Sequence, residues 1–340
     1  MKHVWLITTL VVSLTCLVLE GGGAQDRTIE LKLSHFVGIG HNMHTHVLVP
    51  WAKMVEERSQ GRLKVTIYPG GTLGKPNDHW DMVKDGIADL GWGVHNYTPG
   101  RFPLTSAAEL PFISKTSKGG SRALWEFYIK HLQKEHKGVK VLWLFHTAPF
   151  QVHTTRKPVK TLEDLAGMKL RSGGGQVAAV VKQLGAIPVT MAAPESYNAL
   201  ERGVVDGTVF PWEAIFGFKL YEVIKYHTVV NLNVATFFIT MNLKKYESLS
   251  SDLKKVIDDL SGVWGAEFTG TAWDKGEEEG IAAAKQAGAT TYTLPPTELQ
   301  RWIQKVKPAE DEWIASMEAK GLPGRQVLTD LRELVAKFDP

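Results

Sequence analysis

The sequence predicts an α/β fold made of two units. Strand and helix signals alternate along most of the chain, the alternation restarts after Phe150, and the last third is almost wholly helical. A chain of 340 residues, 44% of them hydrophobic, is long enough to build a core in each unit.

The first residues stand apart. Lys2 and His3 make a short cationic start, Val4 to Leu19 is an apolar run broken only by Ser, Thr and Cys16, and Gly21-Gly22-Gly23-Ala24 follow. That order predicts a secretory signal peptide over 1–24, cleaved after Ala24, and hence an exported protein. The run is shorter than the roughly 20 residues that span a bilayer. Cys16 is the one cysteine, so the mature chain is expected to hold neither a disulfide nor a thiolate metal site.

Thr28 to His35 alternates apolar and polar residues as a strand does, and Val47 to Arg58 reads as a helix. Arg62 to Pro69 is β-like, and Asn77 to Gly86 places Trp80, Met82 and Val83 on one helical face. A short strand at Asp89 to Gly93, a helix near Ser121 to Lys130 and a buried strand at Lys140 to His146 complete the first unit.

The second unit opens with Thr161 and Asp164, which cap a short turn stopped by Gly167. Strands at Lys169–Ser172, Ile187–Met191 and Asp206–Phe210 alternate with helices at Val177–Leu184 and Glu195–Glu201. Pro194 stands at the start of that last helix, where its missing N–H costs nothing. Val229 to Met241 is β-rich, and the helical signal from Ser251 onward is broken around Gly288 to Pro296. Helices at Glu312–Lys320 and Gln326–Phe338 close the chain.

These elements suggest lobe I over 25–149 with a returning segment near 229–255, and lobe II over 150–228 with part of 256–295. C-terminal helices occupy 296–340, and a ligand would bind in the cleft between the lobes, at the carboxyl ends of strands. The net charge of +3 is spread without a basic run, which gives no argument for nucleic acid. No second apolar segment is long enough to cross a membrane, so the mature protein is expected to be soluble.

Few motifs carry chemistry. His41, His44 and His46, with His35 nearby, invite a metal reading, but HExxH and a completing carboxylate are missing. One of them, His44, is also a candidate for a ligand hydrogen bond, and plain loop residues are the third reading. Gly70 to Lys75 lacks the Ser or Thr that a phosphate loop needs after Lys, having Pro76 instead. There is no GxSxG elbow, and Glu56-Glu57 and Glu277-Glu278-Glu279 read as solvated helix faces. Lys169 to Gly175 is more informative: a strand delivers Arg171, and three glycines lead into a helix. A helix start favours anions and a guanidinium fork matches a carboxylate. The alternative is a surface arginine paired with an acidic neighbour.

Five segments in order resemble the solute receptors of tripartite ATP-independent periplasmic (TRAP) transporters. They are Pro69–Gly74, Glu109–Phe112, Lys160–Arg171, Gly185–Val189 and Tyr197–Gly207. The resemblance covers nearly the whole mature chain. It implies a two-lobed, type II-like binding protein that closes about a hinge, with a long helix spanning both lobes. It also implies a place in the periplasm for the exported chain, an organic acid held by Arg171, a membrane permease as partner, no cofactor and no enzymatic step.

Two departures from the family pattern bear on the ligand. Members that read polar substrates follow Val-Asp-Gly with an acidic residue and Asn, whereas this chain has Thr208-Val209-Phe210-Pro211-Trp212-Glu213. A second basic contact often precedes the proline at 158, and here Lys157 and Arg156 are both candidates. The loop bearing Trp92, His95 and Asn96 is expected opposite Arg171, with Phe237 or Phe238 on the returning strand. Trp92, Phe210, Trp212 and Phe237 would then form an apolar wall, favouring an aromatic or apolar monocarboxylate. A metal receptor using His41, His44 and His46, or an exported enzyme, are the alternatives.

Overall fold

A computed structural model describes residues 28–340. The expected signal segment lies outside the described residues. Eleven strands follow in chain order: β1 Ile29–Ser34, β2 Leu63–Tyr68, β3 Leu90–Val94, β4 Val139–His146, β5 Gln151–Thr154, β6 Lys169–Ser172, β7 Ile187–Thr190, β8 Gly207–Phe210, β9 Tyr226–Val229, β10 Thr236–Asn242 and β11 Thr290–Thr293. They form two mixed sheets, one per lobe.

The sheet of lobe I has the order β2-β1-β3-β10-β4, and that of lobe II β11-β9-β5-β8-β6-β7. In each, parallel strands joined by helices supply the β/α rhythm, while one strand enters from the other lobe's side of the chain and runs antiparallel. β10 lies antiparallel between β3 and β4, and β5 antiparallel between β8 and β9. The short strand β11 was only a break in the helical pattern at the sequence level. It is four residues long and largely exposed, and its pairing with β9 defines it.

The chain crosses between the sheets at residues 147–150 and 230–235, and the two crossings bond to each other. Thr147 N donates to Ala235 O at 3.1 Å, Leu232 N to Phe150 O at 2.8 Å, and Phe150 N to Asn233 O at 2.6 Å. Apolar packing is continuous through this hinge, from Leu31, Trp51 and Trp143 in lobe I past Phe150 and Leu232 to Val177 and Val209 in lobe II.

A 25-residue helix, Gly262–Gln286, spans both lobes. Its contacts explain the glycines it carries. A Cβ at Gly265 would lie 2.6 Å from the Trp143 ring of β4, and one at Gly270 would lie 2.5 Å from Lys118 Cα, both in lobe I. Further along, a Cβ at Gly280 would lie 1.8 Å from the carbonyl oxygen of Trp212 in lobe II. Interior glycine costs a helix about 1 kcal/mol relative to alanine. Here it lets the helix touch both lobes at backbone distance.

The last helices also tie back to the lobes. In helix Pro296–Val306, Glu298 accepts from Leu162 N of lobe II at 2.9 Å. After helix Gly324–Phe338, Asp339 accepts from Ser114 Oγ at 2.8 Å and Thr116 Oγ1 at 2.6 Å in lobe I.

Gly280→Ala separates helix propensity from packing. Propensity alone predicts stabilisation by about 1 kcal/mol, while overpacking costs roughly 1–3 kcal/mol or more. Destabilisation in urea unfolding is expected, and a gain in midpoint would mean that the close approach to Trp212 is unimportant.

Candidate functional site

The lobes meet around a cleft of about 500 Å³, its mouth included. Lobe I supplies Phe36, His41, Trp92, Asn96, Tyr97 and Phe237, and lobe II supplies Arg171, Phe210, Glu213 and Phe218. Thr147, Phe150 and Ala235 come from the hinge and Trp273 from the long helix.

Arg171 stands on β6, paired to Val189 of β7 and Thr208 of β8, so strands on either side fix its backbone. Nε and Nη2 donate to Met191 O at 3.2 and 2.8 Å, and Nη2 lies 3.5 Å from the Tyr97 hydroxyl. The guanidinium carbon sits 4.1 Å from the centre of the Phe210 ring. The side chain is buried, at 2% exposure, and no carboxylate forms an ion pair with it among the described residues. Burial pulls its pKa down from the usual arginine value, with Tyr97 and Glu195 opposing. An arginine still keeps its proton in a protein. The surface-pair reading of Arg171 is thereby excluded. A buried cation without a partner costs several kcal/mol, and an anion entering the cleft removes that cost.

After β6 the chain turns through Gly174 and Gly175, with φ of +103° and +56°, into helix Gly175–Gln183. These left-handed values need glycine. Gly173 also lets Asn96 approach, since a Cβ there would lie 3.0 Å from Asn96 Oδ1. Asn96 Nδ2 donates to Glu109 at 3.3 Å, and Glu109 Oε1 accepts from Thr236 N and Oγ1 at 3.0 and 2.8 Å. Glu109 therefore ties the cleft loop to the start of β10. Burial pushes its carboxyl up to about 7.

The structure brings together Arg171, Trp92, Asn96, Phe210 and Phe237 from the residues singled out in the sequence, and moves five elsewhere. Trp212 turns its ring away from the cleft onto His153 and His227, at 5.2 and 4.7 Å between centres, because the helix start places it behind Pro211. His95 packs under the loop against His136, with ring nitrogens 3.0 Å apart, because the chain leaves β3 in a helical turn over His95–Tyr97 that sets its ring among Phe102, His136 and Phe238. Arg156 and Lys157 are both exposed in the loop after β5, so neither is a second basic contact. His44 lies outside the cleft lining, its Nδ1 2.9 Å from His35 Nε2. Phe237, not Phe238, faces the cleft; Phe238 packs on the other side of the sheet among Trp80, Phe102 and Leu144.

The three histidines do not converge as metal ligands. His41 Nε2 faces Glu213 Oε1 at 3.3 Å, His44 pairs with His35, and His46 is exposed. Helical winding over Met43–Leu48 sends the side chains apart. Glu277 also departs from a solvated face. It is half-buried and accepts from Glu213 N at 2.8 Å, and burial raises its carboxyl to about 8.

Sequence reasoning missed Phe36, Phe218 and Trp273, and among the histidines it singled out His44 rather than His41 for a ligand contact. Trp273 had one legible signal: a large aromatic among the glycines of the longest helix. Glu213 closes the departing segment after Phe210, but its orientation depends on contact between lobes.

A cleft between two lobes with a buried cation in its lining is the arrangement in which a solute-binding protein holds its ligand. Residues 33–316 match the family described as bacterial extracellular solute-binding protein, family 7 (DctP), and the chain belongs to it. It is a transport component and not an enzyme. Three solved TRAP solute-binding proteins are similar in fold and sequence. One, from Rhodoferax ferrireducens and in complex with copurified benzoate, is 35% identical with TM-score 0.90, covering 92% of this chain and 98% of its own. Another, from an unidentified marine microbe and described as specific for aromatic acid ligands, was co-crystallised with 3-hydroxybenzoate. It is 38% identical with TM-score 0.90, covering 92% and 100%. A third, from Bordetella bronchiseptica with bound mandelate enantiomers, is 33% identical with TM-score 0.86, covering 92% and 100%.

Glu109 makes stability depend on pH in a defined direction. Its folded-state pKa of about 7 lies above the usual 4.5, so its stabilising contribution is complete below 4.5 and is lost as pH rises through 7. Glu109→Gln should remove that slope. The buried histidines act oppositely and are common to both proteins, so the difference between wild type and variant in urea midpoint, followed from pH 4.5 to 8, isolates the carboxyl. A difference that stays constant over this range would contradict the assignment.

Proposed function

We propose that this receptor is exported to the periplasm by its first 24 residues, closes on an aromatic monocarboxylate and presents it to a TRAP membrane permease. The observation that carries this reading is the buried Arg171 guanidinium without an anionic partner. Arg171 is also the one lysine or arginine in the cleft lining, so a single carboxylate is matched and a second would have no cation. Trp92, Phe210 and Phe237 offer flat apolar faces for the ligand body, and Asn96 a polar contact beside Arg171. The benzoate, 3-hydroxybenzoate and mandelate held by similar proteins agree with that chemistry. No helix among the described residues is long and apolar enough to cross a membrane, which leaves transmembrane passage to the permease.

Magnitudes show why both parts are needed. A micromolar complex requires about −8 kcal/mol. Charge-assisted hydrogen bonds contribute roughly 1.5–3 kcal/mol each, and association entropy opposes binding by several kcal/mol. Burying roughly 150 Å² of aromatic surface at about 25 cal/mol per Å² adds on the order of 4 kcal/mol. Since the carboxylate grip belongs to lobe II and Trp92 and Phe237 to lobe I, ligand contacts favour the closed arrangement.

Isothermal titration with benzoate tests the reading. Arg171→Ala should weaken binding by about a hundredfold or more, given roughly 3–5 kcal/mol for breaking a buried charge pair. Arg171→Lys, which keeps the charge but loses the fork, should fall between. Unchanged affinity in Arg171→Ala would refute the carboxylate grip.

A further inference from the structure

The cleft has a second polar end that a simple aromatic acid does not use. Glu213 and His41 face each other across the lobes, Oε1 and Nε2 at 3.3 Å, without the alignment of a hydrogen bond. Beside them in the lining, Trp92 Nε1 and Trp273 Nε1 have no hydrogen-bond partner among the described residues. All four side chains are buried, at 4%, 3%, 2% and 1% exposure respectively. Unpartnered buried polar atoms are uncommon, and the two indole N–H groups and the Glu213 Oε1 lining one cavity, with His41 Nε2 beside them, point to a ligand that joins them.

Two rows of ring contacts lead from Arg171 to this end. One runs through Phe210, 4.1 Å from the guanidinium carbon, then Phe218 at 6.1 Å and His41 at a further 4.8 Å between ring centres. The other runs from the Tyr97 hydroxyl, 3.5 Å from Nη2, through the Tyr97 ring to Phe36 at 5.9 Å and on to Trp92 at 4.5 Å. Resting on the reading of an aromatic acid gripped by Arg171, we infer that Glu213, His41, Trp92 and Trp273 form a second recognition pole for a hydroxyl at the meta or para position of the ligand ring. An ortho hydroxyl stays beside the carboxylate and does not reach it.

The chemistry of the pole selects a neutral hydroxyl over other groups. Met43 N donates to His41 Nδ1 at 3.2 Å, which leaves the imidazole proton on Nε2. Burial holds His41 neutral, down to about 3, and burial with Glu277 and Glu279 pushes the Glu213 carboxyl well above the ordinary range against an opposing contact from Asn42, which favours its neutral form. The pole thus offers three N–H donors and a neutral carboxyl that both donates and accepts. A phenolic hydroxyl accepts from the first and exchanges a hydrogen bond with the second. A second carboxylate would bring negative charge to Glu213 without a cation to match it. An unsubstituted ring leaves all these groups unpaired, and sites built to bond a hydroxyl discriminate strongly against analogues lacking it.

Titration of the full-length mature protein with benzoate and with 2-, 3- and 4-hydroxybenzoate tests this. The 3- or 4-hydroxy acid should bind the wild type about tenfold or more tightly than benzoate, and 2-hydroxybenzoate should show no such gain. Trp92→Phe and Glu213→Leu should each shrink the ratio of hydroxybenzoate to benzoate affinity, taken within the same variant, to about threefold or less. The wild-type comparison stands even where a variant fails to fold. Equal binding of benzoate and both hydroxy acids by the wild type overturns the second pole and leaves the carboxylate grip intact. Absence of binding by all four acids overturns both readings.

Discussion

Arg171 carries a full positive charge at 2% exposure and makes no ion pair among the described residues, and much of the cleft is organised around it. Its Nε and Nη2 are held by the Met191 carbonyl, its face is covered by Phe210, and the Tyr97 hydroxyl approaches from the other lobe. Such a site is poorly satisfied alone. In a low-dielectric cleft the same desolvation that disfavours the free cation strengthens its attraction to a carboxylate. In the proposed function that attraction is the source of selectivity for an acid.

That arrangement works only if two lobes can be held in register and still move. The paired crossings at residues 147–150 and 230–235 supply a short hydrogen-bonded hinge, and Glu109 fixes the cleft loop to it through Asn96 and Thr236. The long helix supplies the second constraint. Its glycines bring it against Lys118 in lobe I and Trp212 in lobe II at backbone distance, so neither lobe slides freely along it.

The aromatic lining links these two features. Phe36 stacked on Trp92 belongs to lobe I, and Phe210 stacked on Phe218 to lobe II. In the proposed function a flat ligand between them buries apolar surface from both sides at once, which would couple affinity to closure. On the same proposal the polar groups at each end set which flat ligands are accepted: one cation at Arg171, and the groups around Glu213 and His41.

Local periodicity made the two α/β units legible, because strand and helix patterns depend on neighbouring residues. The glycines after Arg171 likewise announced a strand-to-helix turn, and Phe210 in place of an amide announced an apolar wall, since both are statements about residue type at one position. What the sequence did not determine was direction. Trp212 and Phe210 are two residues apart, yet only Phe210 faces the cleft, and of the neighbours His95 and Asn96 only Asn96 lines it. His41 meets Glu213, and Trp273 reaches the cleft, only because lobes distant in sequence pack against one helix. Which residues are present, and hence the proposal of a carboxylate with an apolar body, was legible in the sequence. Which of them share one cavity was decided by tertiary packing, because contacts across a hinge leave no periodic trace in the chain.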